Sequence, residues 1–173
     1  MNGRMLLVAA GACAFFTIAS TGSQGQPAQP RFASGGIQVV ANRAVLSRGN
    51  FGARLVVSLV LTNLGDDDLA IVAPEYPIAI ADTGGDARAD TLSGIAMSGC
   101  GESVAFCIQS HGLTPTTIER QNSITVTMVF RSFPDSKVCS VDFSMPVFIR
   151  RGSDKGRDNW RRITVGLPNV MVC

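Results

Sequence analysis

The sequence predicts an all-β fold, two antiparallel sheets packed as a sandwich of about seven to nine strands. Three observations point there. Apolar and polar residues alternate in several runs rich in β-branched side chains. Gly, Pro, Asn or Asp punctuate those runs at intervals of roughly 8–15 residues. No window carries an apolar stripe of helical period longer than about two turns. Uneven strand lengths and connections favour the sandwich; a lipocalin-like β-barrel is the alternative.

Taken in chain order, Gly36–Leu46 gives a first, weaker strand signal. The clearest run is Arg54–Asn63, where Leu55, Val57, Leu59 and Leu61 share one face and Val56, Ser58, Val60 and Thr62 the other. Asn63-Leu64-Gly65-Asp66 supplies turn chemistry, and Leu69, Ile71 and Ala73 resume the alternation. A β-hairpin is expected there. Tyr76–Ala81, Asp90–Met97 and Ser103–Gln109 are shorter strand candidates. Ser123–Phe130 directs Ile124, Val126, Met128 and Phe130 inward and Thr125 and Thr127 outward. Val141, Phe143 and Met145 alternate ahead of Pro146, and Ile163, Val165 and Leu167 alternate near the C-terminus.

Composition narrows the function classes. With 46% apolar residues, 16% charged residues and a net charge of +2, the 173-residue chain is not intrinsically disordered. Fifteen basic residues against 13 acidic ones exclude a strongly basic nucleic-acid binder. The N-terminus reads as a leader. A basic start at Arg4 is followed by the apolar run Met5–Ala19 and by the small residues Ser20–Ser23. Residues 1–23 are accordingly expected to be a signal peptide, with a retained membrane anchor as the alternative, because the run is short for a bilayer span. Cys13 falls inside that run. Residues 24–35, with Phe32 their one large apolar side chain, are expected to form a flexible linker. The folded domain is expected to cover residues 36–173.

The pattern strand–Asn63-x-Gly65–strand, then Ile78–Asp82 running into Gly84-Gly85, resembles the first half of exported bacterial immunoglobulin-like domains. The loop with Pro115, the strand Ile124–Phe130 and the stretch from Arg131 to Pro134 resemble the second half. The likeness covers about residues 37–167. It implies an immunoglobulin-like β-sandwich used for binding, adhesion or structure, and implies no catalytic residue. The segment Met97–Ile108, with its two cysteines, departs from the pattern.

Removing the leader leaves Cys100, Cys107, Cys139 and Cys173. An even number in an exported chain implies disulfides, although four cysteines allow three connectivities. Proximity favours Cys100 with Cys107; Cys139 with Cys173 would then pin the C-terminus to the sheet. Chain entropy gives about 2.5 kcal/mol for the short loop and about 3.8 kcal/mol for the long one. The spacing is poor for zinc and for redox catalysis, lacking Cys-x-x-Cys and a neighbouring His.

His111 is the single histidine. Ser103, Glu102 and Ser110 lie nearby in sequence, but Gly-x-Ser-x-Gly is absent and Ser-His adjacency builds no triad. Asp66, Asp67 and Asp68, with Asp82, Asp86 and Asp90, read as solvated turns, without the spacing of a calcium loop. No cofactor or metal is implied.

Charge is segregated along the chain. Asp66–Asp90 holds seven acidic residues and one basic residue, Arg88. Arg150, Arg151, Lys155, Arg157, Arg161 and Arg162 gather around Trp160 in an expected hairpin loop. Guanidinium groups pair carboxylate or phosphate bidentately, so this loop is the candidate contact for an anionic partner. The expectation is an exported, periplasmic or secreted, non-enzymatic binding or structural module of the cell envelope. Its partner would be an envelope protein or an anionic surface polymer rather than nucleic acid. Self-association through an edge strand or opposed charged faces is a further expectation. An accessory or chaperone-like subunit of a larger envelope assembly is the alternative, and a secreted hydrolase a second one.

Overall fold

A computed structural model describes residues 29–49, 52–99, 104–133, 137–152 and 159–173. The expected signal peptide lies outside them. Twelve strand segments and one helix are present among the described residues. They are β1 (Arg31–Ser34), β2 (Ile37–Gly49), β3 (Gly52–Asn63), β4 (Leu69–Ala73), β5 (Ile78–Ala81), β6 (Asp86–Arg88), β7 (Thr91–Ser93) and β8 (Ala96–Met97), then α1 (Val104–His111), β9 (Thr116–Ile118), β10 (Ser123–Phe133), β11 (Ser140–Arg151) and β12 (Arg161–Met171).

One sheet runs β1-β2-β3-β10-β7. In the other, β11 pairs β12 along one edge, and β5 and β4 pair successive stretches of β11. β6 extends β5, while β8 and β9 both pair β4. β4 and β5 behave as one long strand interrupted at residues 74–77. Pro74 and Pro77 bound that gap, each lacking the N–H a ladder needs. The register with β11 slips across it, from Val141↔Ala81 to Phe148↔Val72. Counting β4 and β5 together, β2-β3-β10-β7 faces a sheet centred on β11, flanked by β12 and by β4/β5. That is the immunoglobulin arrangement, with β6 as an added strand. The sheets do not close into a barrel, so the lipocalin-like alternative falls.

The period-two pattern delivers the core as the sequence indicates. Leu55, Val57, Leu59 and Leu61 of β3 meet Val126, Met128 and Phe130 of β10, all fully buried. Val141, Phe143, Met145 and Val147 of β11 and Val165 and Leu167 of β12 close the core from the second sheet.

Three sequence expectations need correction. β3 and β4 do not form a hairpin, because they belong to different sheets. The chain crosses the sandwich at Asn63, whose side chain is fully buried. Its Nδ2 donates to the carbonyls of Asp67 (2.8 Å), Ile118 (3.1 Å) and Glu119 (3.3 Å), and its Oδ1 accepts from the Gly65 amide (3.0 Å). Ser103–Gln109 is not a strand; its described part lies in α1. Val104 and Phe148 pack there with Val72, in a small cluster on the outer side of the β11 sheet. The linker is shorter than 24–35, because Arg31–Ser34 pairs with Ile37–Val40 and Phe32 packs on the core.

Candidate binding groove at the open sandwich edge

The basic residues that cluster in sequence are distributed by strand alternation. Arg150, two residues on from Phe148, faces outward, as does Arg162, which pairs across the strand with Phe148. Arg151 and Arg161 lie on the side of Ile149. On the outer face, the Arg150 guanidinium sits 5.1 Å from the Trp160 ring centre, a cation–π contact. Trp160 itself packs against the α1 cluster. Arg162 pairs with Glu75 at 3.2 Å, both side chains under half exposed.

Arg151 is committed inward. Its Nη2 donates to the Gly35 carbonyl at 3.1 Å. A Cβ at Gly36 would stand 1.7 Å from that nitrogen, and one at Gly65 1.9 Å from Nη1. Glycine at these two turns makes the slot that admits the guanidinium. Arg151 therefore ties the β1–β2 turn to the crossing at Asn63. Arg161 is exposed and lines a concavity of about 360 Å³ with Gly35, Ile149, Arg151, Asn159 and Trp160. Lys155 and Arg157 lie outside the described residues. The single anionic contact expected from sequence thus resolves into residues on two faces, several already holding internal partners.

The acidic segment is likewise used for structure. Asp82 Oδ2 accepts from the amides of Cys139 (3.2 Å) and Ser140 (3.0 Å). Asp68 Oδ1 accepts from the Arg120 amide at 3.2 Å, and Asp90 from the Arg131 amide. These carboxylates cap strand ends across the sandwich, so they are not one uniform acidic face. Among the described residues no three His, Cys, Asp or Glu side chains gather as a metal site. His111 is exposed at the end of α1 and meets Phe106 edge-on, ring centres 6.0 Å apart.

Of the cysteines, Cys107 is buried in α1, and Cys100 lies outside the described residues. Cys139 and Cys173, expected as the C-terminal staple, are brought together at the ends of β11 and β12 but are free, exposed thiols. A hydrogen bond with Cys173 is the main cause holding the Cys139 thiol above its ordinary pKa; desolvation and the charges of Cys173 and Asp82 add to this, and Arg48 opposes it.

The larger concavity was not visible in the sequence. β1 covers β2 only over Ile37–Val40, so from Arg43 to Gly49 the second edge of β2 has no strand partner among the described residues. Among the described residues β12 is paired along one edge only. These edges border a groove of about 660 Å³, lined by Gln29, Pro30, Arg31, Ala41–Ala44 and Asn169–Met171. A register irregularity between Ala41 and Arg43 bends β2 at its floor. Small side chains, Ala41 and Ala44, keep it wide. Arg31 and Arg43 flank it, exposed and without an ion-pair partner among the described residues. The signal that could have revealed it is Asn42-Arg43, two polar residues breaking the alternation of β2.

No known protein-family model matches the chain, and no curated protein matches it either. Among solved structures, a Northeast Structural Genomics Consortium target, SoR45, is similar over 80% of this chain and 86% of its own, with 9% identity and a TM-score of 0.43. A PapD-like (ASH) domain of human CEP192 is similar over 97% of this chain and 98% of its own, with 11% identity and a TM-score of 0.36. At these scores the likenesses carry no argument, and the assignment as an immunoglobulin-like β-sandwich rests on strand order. Among the described residues no helix is long and apolar enough to cross a membrane.

Proposed function

We propose that the chain is an exported, non-enzymatic binding module of the cell envelope. It takes up an extended, acidic segment of a protein partner along its open edge, as an accessory subunit of a larger envelope assembly. The observation that carries this reading is the groove between the edges of β2 and β12 that have no strand partner among the described residues. An unpaired strand edge offers a row of N–H and C=O groups that an extended peptide satisfies, while flanking pockets select its side chains. Arg31 and Arg43, exposed and without an ion-pair partner among the described residues, favour a segment bearing carboxylates. An anionic surface polymer bound at the Trp160 end ranks second, because Arg150, Arg151 and Arg162 already hold internal contacts. The leader motif in residues 1–23 supports export.

The test is site-specific photo-cross-linking in the cell of origin, with the probe at Ala44 in the groove and, as a control, at Asp86 on the distant strand β6. One partner, joined through an acidic extended segment at Ala44 only, is the expected product. It should vanish in the R31E/R43E variant while the melting temperature stays within a few degrees. A product that survives charge reversal, or forms equally at Asp86, would overturn the reading.

A further inference from the structure

We propose that Cys139 and Cys173 are a redox modification site, closing as a disulfide that fixes one wall of the open-edge groove. This rests on the groove reading for its consequence, though not for its chemistry. The geometry begins with the β11–β12 hairpin. Pairing is regular from Ile149↔Arg161 to Phe143↔Leu167 and then slips before Val141↔Val170. Asn169 sits within the slip with φ +54°, its amide held by the Asp142 carboxylate at 2.9 Å. Beyond the slip β12 pairs β11 at Val141↔Val170 and Ser140↔Met171, and the Val172 amide then donates to the Cys139 carbonyl at 3.0 Å. Such a short strand end, isolated by an irregularity, is where a strand frays.

That stretch is also part of the groove: Asn169, Val170 and Met171 line it. Cys173 follows two residues later, in contact with Cys139 across the hairpin. Cys139 cannot drift, because the Asp82 carboxylate holds its amide and that of Ser140. Cys173 lies beyond the end of β12 at Met171, outside the strand pairing that would resist the rotation a disulfide geometry requires. One sulfur is thus anchored and the other free to adjust.

The closing step needs an oxidant, and a small-molecule disulfide such as oxidised glutathione suffices. A thiolate of the pair attacks one sulfur of that disulfide and expels one small thiolate, giving a mixed disulfide. The second cysteine, losing its proton, attacks the protein sulfur of the mixed disulfide and expels the other small thiolate. Two protein thiols are oxidised by two electrons, the small disulfide is reduced to two thiols, and the released protons end on them or in solvent. With the bond closed, Val170–Val172 cannot fray from β11 and the groove keeps its C-terminal wall. Reduced, as in the structure described, that wall is held by its backbone pairing alone and frays more readily.

The experiment uses the mature protein equilibrated with oxidised or reduced glutathione, without any binding partner. Expected on oxidation are the loss of both free thiols, a mass lower by two hydrogens, and a peptide linking Cys139 to Cys173. Amide hydrogen exchange at residues 170–172 should then slow by about tenfold or more relative to the reduced protein, while β3 amides stay unchanged. The C139S/C173S variant should exchange like the reduced protein under both conditions. Glutathione adducts on both cysteines, persistent free thiols or another pairing would overturn the site. A formed bond with unchanged exchange at 170–172 would overturn the control of the groove wall. Neither result depends on whether a partner binds at Ala44, so failure here is separable from failure of the proposed function.

Discussion

Asn63 shows how much one residue decides in this fold. It stands at an inward position of β3, where alternation calls for an apolar side chain, and it is the one polar side chain in the buried core among the described residues. An amide there is tolerable only because its donors and acceptor are all met, by carbonyls of the crossing loop and the β9–β10 turn and by the Gly65 amide. Its sequence signature, Asn-x-Gly after a strand, is also that of a hairpin, and local chemistry does not distinguish the two outcomes. The difference is made by Ile118 and Glu119, more than fifty residues away, whose carbonyls the side chain reaches. Asn63→Ala should therefore cost about 2–3 kcal/mol, the desolvation cost of buried carbonyls left without a donor, rather than the few tenths of a lost turn propensity. Urea denaturation monitored at Trp160 and by circular dichroism measures it; a cost under 0.5 kcal/mol would mean that water replaces the side chain. Arg151 teaches the complementary lesson. Its charge was legible, but the glycines that make its slot, Gly36 and Gly65, lie far from it in sequence. Read alone, it looks like a ligand contact; in the structure it is a tie.

At the scale of elements, alternation was a reliable guide wherever a strand has one core face. β3, β10, β11 and β12 carry the buried residues their patterns announce. Short elements were less legible because their pattern is set by what covers them. α1 is the example: in VAFCIQSH both Val104 and Cys107 are buried, while Phe106 is 57% exposed. Eight residues are too few for a stable isolated helix, so it persists through docking. Its partners Val72 and Phe148 lie on the outer side of the sheet, in a cluster separate from the main core. Losing that cluster should release the helix and leave the sandwich. Phe148→Ala, a deletion worth about 3 kcal/mol when fully felt, is expected to bring α1 amides close to unprotected exchange while β3 and β10 amides keep theirs. Uniform loss of protection over both would mean that the helix and the sandwich unfold as one unit.

At the scale of the whole molecule the sandwich class was legible, but the edges were not, nor were the short added segments that bring the strands to twelve among the described residues where about seven to nine were expected. Which edge of a strand stays open depends on where its neighbour stops. β1 begins at Arg31, opposite Val40, within a stretch whose composition reads as linker, and so leaves β2 beyond Val40 without a strand partner among the described residues. The site follows from that omission, and so does its selectivity between partners. Two copies meeting by their open edges about a two-fold axis that passes between Arg31 and Arg43 would bring the arginines of one copy against those of the other. Like charges brought together at an interface oppose association, most strongly at low salt. The protein should therefore sediment as a monomer at low ionic strength, and so should R31E/R43E, in which two carboxylates meet two carboxylates. Mixing the two removes the repulsion, because one copy then presents arginines where the other presents glutamates. A heterodimer that appears only in the mixture, and weakens as salt is raised, is the expected result by sedimentation velocity. Dimerisation of the unmodified protein alone would make a second copy the occupant of the groove, and the acidic partner segment would then have no place to bind.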